Sequence, residues 1–260
     1  MVRSIRNISY KNDTRDKQNM LDVYYSTKDS LRDVLIFVHG GKWKSDHKNR
    51  YNFLGRNFVR EGLVTVIINY SLLPNQIDRI AQDCAAAVIW VHQNISNYGG
   101  NPDRIFLMGH SSGGHLIEFI NCNSRFFIQH NMTNPIHGII LLDAFGLDMH
   151  EYLNQASSKN SKHYNTFIEV FSNNPEKWSE ASPMKYWKNI RNPHLILIGE
   201  RTYPSIQAQN RHLFGNLIAS KKAPAEFYEI PHRHHTEMII YMLFHKSQQY
   251  NIILNFMRRN

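Results

Sequence analysis

Short runs of apolar, often β-branched residues alternate along this chain with longer stretches in which apolar positions recur every three or four residues. The short runs fall at 20–25, 34–38, 63–69, 105–108, 138–143, 195–198 and 226–230. The middle ones are apolar without interruption, as strands are when both faces of a parallel sheet are covered. Helical patterns lie between them, at 50–61, 76–97, 113–121, 205–220 and 236–257. Alternating strand–helix units predict an α/β protein with a mostly parallel central sheet and helices on both faces. Residues 144–192 are polar and poor in strand signals, and read as a short cap or lid segment. No linker, internal repeat or low-complexity tract divides the chain, so residues 1–260 are expected to form one domain.

Charge changes this picture little. The formal net charge is +9, from 30 basic and 21 acidic residues. The basic residues are scattered, with no block of like charges and no basic helix interleaved with aromatics, which argues against a nucleic-acid surface and for a solvated one that favours anionic substrates. The two cysteines, Cys84 and Cys122, sit in helical patterns with no C-x-x-C spacing and read as small buried side chains, pointing to a reducing compartment. The first residues lack the apolar stretch of a signal peptide, and no apolar run reaches the length of a membrane span. The expectation is a cytoplasmic protein acting on a small molecule. Nothing in the sequence speaks to its oligomeric state.

The chemistry concentrates where the run at 105–108 ends. Gly109-His110-Ser111-Ser112-Gly113 is G-x-S-x-G, set between a strand and a helix. Such a serine sits on a strained turn, and the flanking glycines let strand and helix pass close together. Ser111 is therefore a candidate nucleophile, and the backbone N–H of Ser112, at the start of a helix, would face developing negative charge. Upstream, His39-Gly40-Gly41 follows the run at 34–38, and Gly40 or Gly41 would supply the second donor of an oxyanion hole. Trp43 either walls the acyl pocket or packs under the loop. A serine hydroxyl needs a base, and the segment 230–237 offers three histidines, His232, His234 and His235, between the last strand and the last helical pattern. The same three could hold a metal as H-x-H-H. His115 reads as a packed or surface histidine.

With these residues in view the chain resembles the α/β-hydrolases of the esterase/lipase type, most of all the carboxylesterase-like branches that include kynurenine formamidases and prenylcysteine methylesterases. The resemblance spans nearly the whole chain, from MLDVYY through HGGKW, NYSLLP, the stretch ending in GHSSGGHL, EKWSEASPMKYW and LILIGERTYP to EIPHRHHTEMI. It implies an α/β-hydrolase fold, Ser111 as nucleophile and no cofactor. The family's P-G-x-x-H pattern lands on 231–235, which makes His235 the base, with His232 in place of the glycine. Where the family has G-E-x-D, this chain reads Gly199-Glu200-Arg201-Thr202, with threonine in the aspartate's place. The acid partner is then Glu200, the preferred choice, or Asp143 at the end of the preceding strand, or Asp148, or absent, leaving a neutral hydrogen bond from Thr202. Ser71 in NYSLLP also departs, where the family often has arginine. The implied function is hydrolysis of a small carboxylic ester or of a related acyl or formyl amide. The competing reading is a hydrolase-fold binding protein that has lost turnover with its acid.

Overall fold

Residues on each central strand alternate between two separate apolar clusters, one on each face of the sheet. Val34, Ile36 and Val38 join the first cluster while Leu35 and Phe37 join the second; Ile139 and Leu141 alternate in the same way with Ile140 and Leu142. This is the period of two expected of a pleated strand, repeated on a sheet buried on both sides. The computed structural model describes residues 1–11, 15–26, 31–244 and 246–260.

Eight strands form one sheet: β1 (Arg3–Ser9), β2 (Met20–Tyr25), β3 (Arg32–Val38), β4 (Val64–Ile68), β5 (Gly100–His110), β6 (Ile136–Leu142), β7 (His194–Gly199) and β8 (Ala225–Ile230), in the order β1-β2-β4-β3-β5-β6-β7-β8. β2 runs antiparallel to both of its neighbours, and the strands from β4 to β8 are parallel. The seven runs read from the sequence correspond to β2–β8. The eighth strand, β1, escapes that reading because most of its side chains are exposed and carry no apolar signal. It pairs with β2 at the edge of the sheet, Arg3 opposite Tyr25 and Ser9 opposite Met20, with a shift of register between Ile5 and Ile8.

The first three helices are α1 (Asn52–Arg60), α2 (Ile77–Asn94) and α3 (Ser112–Cys122). α2 and α3 bury Ile80, Ala81, Leu116 and Ile120 in the first cluster, while α1 places Leu54 and Phe58 in the second. A short α4 (Arg125–Ile128) precedes β6. Segment 144–192 holds four short helices, α5 (Met149–Asn154), α6 (Ala156–Lys159), α7 (Tyr164–Phe171) and α8 (Pro175–Glu180), and no strand. α9 (Pro204–Ser220) connects β7 to β8.

The last helical pattern does not form one helix. α10 (Glu237–Ile240) runs into a 3-10 turn at Tyr241–Leu243, and α11 (Gln248–Arg259) starts afresh after Ser247, whose backbone is extended. Serine is a favoured residue at a helix start, a local signal that apolar periodicity overlooks.

Two buried carboxylates anchor the first strands and loops. Asp22 faces the Lys48 ammonium at 2.6 Å, with both side chains buried. Asp83 accepts the backbone N–H of Ser71 at 3.0 Å and pairs with Lys11 and, at 3.5 Å, with Arg79. Ser71, where the resemblance leads one to expect arginine, thus meets an acid whose counter-charge comes from elsewhere in the chain. Cys84 and Cys122 are free and buried.

Candidate active site

Ser111 sits at the junction of β5 and α3 with φ 56° and ψ −123°, a backbone conformation that few side chains adopt and that costs on the order of 1–3 kcal/mol. Close packing explains the sequence around it. A Cβ on Gly109 would lie 2.4 Å from the carbonyl oxygen of Gly113, and one on Gly113 would lie 2.2 Å from that of Val38. Only glycine lets α3 cross so near β3 and β5. The turn is then tied to the next strand connection: Ser111 N–H donates to Leu142 O at 3.2 Å, and Phe145 N–H donates to Ser111 O at 3.1 Å.

Gly40 lies against the nucleophile, since a Cβ there would come within 3.0 Å of Ser111 Cβ. The carbonyls of this loop are held from beneath. Tyr70 Oη donates to His39 O at 2.7 Å, and His39 Nδ1–H donates to Gly40 O at 2.8 Å. In a trans peptide the N–H points away from the preceding C=O, so fixing these two carbonyls aims the N–H groups of Gly40 and Gly41 in the opposite direction. Ser112, the first residue of α3, carries an N–H that the helix does not use. Trp43 takes the second of its two expected positions. It is fully buried, with ring centroids 4.9 Å from Phe171, 5.1 Å from His115 and 6.0 Å from Phe167, and so packs beneath the loop.

The loop after β8 brings His235 to the serine. His235 Nε2 is 2.9 Å from Ser111 Oγ, and its Nδ1 is 2.5 Å from Asp143 Oδ2. Asp143 follows β6, is fully buried, and holds a left-handed backbone, φ 52°. Its other oxygen accepts Gly199 N–H at 2.9 Å, and Thr202 Oγ1 donates to the oxygen that faces His235. The threonine standing where the family pattern has aspartate therefore binds a carboxylate supplied by the neighbouring strand.

Glu200, the preferred acid of the sequence reading, makes no contact with His235 in this geometry. Glu200 is exposed and turns away from His235; its carboxylate accepts the N–H of His232 at 2.5 Å, a contact that lowers its pKa. It braces the loop that carries the histidines. Asp148 is also elsewhere, capping α5 by accepting Glu151 N–H at 2.8 Å. His232 stands in the glycine's place with φ 59°, so the loop keeps the left-handed turn without glycine. The three histidines of H-x-H-H diverge: His232 faces Glu200, His234 Nδ1 meets Arg201 O at 3.1 Å, and His235 faces Ser111. Among the described residues no group of three His, Cys, Asp or Glu side chains converges as a metal site.

One residue inside the motif carries more than its sequence position suggested. His110 stacks on His235 with centroids 4.8 Å apart, and its Nε2–H donates to His235 O at 3.1 Å. Burial, helped by the neighbouring His235, pushes its pKa down to about 4, so the ring is neutral. His115, the other histidine of this stretch, is buried too, hydrogen-bonds Ala181 O at 2.8 Å, and is likewise pushed down to about 4 by burial.

Ser111 and His235 open into a cavity of about 850 Å³, walled by the glycine loop, the segment 145–167, the start of α9 and the segment 235–243. That is the size of a pocket for a small organic molecule.

A doubly covered, mostly parallel sheet, a serine elbow after β5 and a histidine after the last strand define an α/β-hydrolase fold. The profile of the BD-FAE family matches residues 21–217, and the chain belongs to that family. A probable isoprenylcysteine alpha-carbonyl methylesterase of Oryza sativa subsp. japonica is 36% identical over 101 residues, 38% of this chain and 24% of that protein. Esterase LipQ of Mycobacterium tuberculosis is 27% identical over 236 residues, 84% of this chain and 54% of that protein. The matches to these relatives thus span about a quarter to a half of their lengths. The crystal structure of esterase B from Lactobacillus rhamnosis superposes with a TM-score of 0.79 at 18% identity, covering 99% of this chain and 84% of that one, and shares the fold.

Proposed function

We propose that this chain is a serine hydrolase of small carboxylic esters or related acyl and formyl amides, with Ser111 as nucleophile, His235 as base and Asp143, in place of Glu200, as the acid. The observation that carries the reading is the continuous relay from Ser111 Oγ to His235 Nε2 and from His235 Nδ1 to Asp143. Ser111 attacks the substrate carbonyl while His235 takes the hydroxyl proton. The N–H groups of Ser112 and of Gly40 or Gly41 receive the oxyanion, and Asp143 stabilises the imidazolium and holds its orientation. His235 returns the proton to the leaving alcohol or amine, leaving an acyl-serine. A water molecule, deprotonated by His235, then releases the acid. These steps call on no metal or organic cofactor.

The ester chemistry named for the rice methylesterase and for LipQ supports this reading. Turnover is favoured over mere binding because Asp143 meets the need for an acid that Thr202 leaves open. Among the described residues no helix is long and apolar enough to cross a membrane, and the free, buried cysteines suit a cytoplasmic setting. The test is labelling by a fluorophosphonate probe. The unmutated protein should be modified at Ser111, and Ser111→Ala should take up no probe and lose at least about 10³-fold of its ester turnover while still folding. Full labelling or turnover of Ser111→Ala would overturn the reading.

A further inference from the structure

The cavity above Ser111 has two unlike sides. The second apolar cluster reaches it through Tyr51, Phe53 and Ile239, and the first through Phe145, Tyr152 and Phe167. On the side of the first cluster three cationic or titratable side chains enter the same cavity: Lys42, next to Gly41 of the glycine loop, and Lys162 and His163, which lead into α7. His163 lies 6.3 Å from the Phe167 ring, so the polar group borders the aromatic wall directly.

No carboxylate answers this cluster among the described residues. Asp46, the acidic side chain of the cavity wall, is committed elsewhere: it accepts Tyr51 Oη at 2.6 Å and His47 N–H at 2.8 Å, and faces Arg50 at 3.6 Å. Burial and Lys162 hold the Lys42 ammonium below its ordinary pKa. Burial does the same to His163, helped by Lys42, Lys162 and Lys44. The position of Lys42 is imposed. Lys42 and Trp43 both adopt left-handed backbone conformations, φ 56° and 57°, which buries the tryptophan and leaves the lysine at the cavity wall. Like charges gathered without an acid repel one another, and a bound anion relieves that repulsion.

We propose that Lys42, Lys162 and His163 form an anion subsite, and that the substrate is an ester or acyl amide whose aromatic or apolar portion carries a carboxylate. The aromatic portion lies against Phe145, Tyr152 and Phe167, and the carboxylate meets the two ammonium groups. This assignment rests on the hydrolase reading above and names the substrate class of the same site.

The test compares matched esters. Mono-4-nitrophenyl glutarate carries the anion on the acyl side and 4-acetoxybenzoate carries it on the leaving group; 4-nitrophenyl butyrate and phenyl acetate are their neutral counterparts. The unmutated protein should prefer one anionic ester over its counterpart, and which one tells on which side the anion sits. In Lys42→Gln/Lys162→Gln that preference in kcat/KM should fall about tenfold, with the change in KM, and raising the salt should erode it in the unmutated protein. Equal use of charged and neutral esters, or a preference that survives the double substitution, would overturn the subsite. If neither ester class is turned over, the hydrolase reading fails. Binding of 2-naphthoate, followed by its fluorescence, then decides the subsite separately: weaker binding by the double variant supports it, and equal binding overturns it.

Discussion

Thr202 donates its hydroxyl to the carboxylate of Asp143. The position at which the resemblance leads one to expect an aspartate here supports a carboxylate from the adjacent strand, through one buried oxygen that also faces His235. On the reading proposed above, the acid comes from β6 in place of the β7 loop, and its charge meets the imidazole through that shared oxygen.

Replacing Asp143 by asparagine should lower ester kcat by about 10³–10⁴-fold, because an amide neither stabilises the imidazolium nor holds its tautomer. Glu200→Gln should cost less than about threefold in kcat and act mainly on the stability of the 230–237 loop. Steady-state kinetics on both variants, with circular dichroism to verify folding, decides the matter; a larger loss from Glu200→Gln would return the acid to the β7 loop.

Thr202→Val keeps the shape of the side chain and removes its donor, and should reduce kcat about tenfold. Thr202→Asp should also reduce turnover. Two carboxylates in one buried site cannot both ionise easily, and one would hold a proton near neutrality. A rise in kcat for Thr202→Asp would mean that the site still prefers the acid at position 202.

His235→Ala should be nearly as damaging as Ser111→Ala, whereas His234→Ala and His232→Ala should remain within about fivefold of the unmutated rate, since neither side chain reaches the serine. Probe-labelling rates and kcat/KM measured for the three variants side by side would expose a misplaced base.

The fold should lose stability on acidification before its carboxylates titrate. His110 and His115 stay neutral down to about pH 4 in the folded protein, while in the unfolded chain they take up protons near 6.5. Between those limits the unfolded state binds the extra protons, so stability is full above about pH 6.5 and declines as pH falls toward 4, by at most about 3 kcal/mol per histidine. Urea midpoints from pH 7.5 to 4.5 should show the decline, and His115→Gln should flatten it.

At His232, glycine should relieve the left-handed backbone and leave stability unchanged or raised by up to about 1 kcal/mol, whereas a β-branched valine should destabilise by about 1–2 kcal/mol. Thermal melts of His232→Gly and His232→Val would test the sign of both effects.

The central sheet is legible in the sequence because its strands are buried on both faces and so read as unbroken apolar runs. β1 is not, because an exposed edge strand needs no apolar face, and the break before α11 is not, because Ser247 acts through its backbone while the periodicity around it continues. The turn at Ser111 is legible for a steric reason: glycines at 109 and 113 are demanded by a close crossing that no side chain survives. The acid is harder. Asp143 and Glu200 both follow strands at the carboxyl end of the sheet, and what separates them is the left-handed φ of Asp143 together with the pull of the His232 N–H on Glu200, neither of which any spacing reveals. His110 and Tyr70 stay hidden because they act on backbone carbonyls, His235 O and His39 O, which leave no pattern in side-chain chemistry.

The tie between the serine elbow and the end of β6 has a consequence in time. Ser111 N–H on Leu142 O and Phe145 N–H on Ser111 O bind Ser111 and Asp143 into one block of adjacent strands, and His235 arrives from the segment after β8. On the reading proposed above, a chain folded only as far as β6 would hold its serine without a base. The hydroxyl would gain its nucleophilicity only when the segment after β8 docks, so the order of assembly sets the moment at which the site becomes reactive.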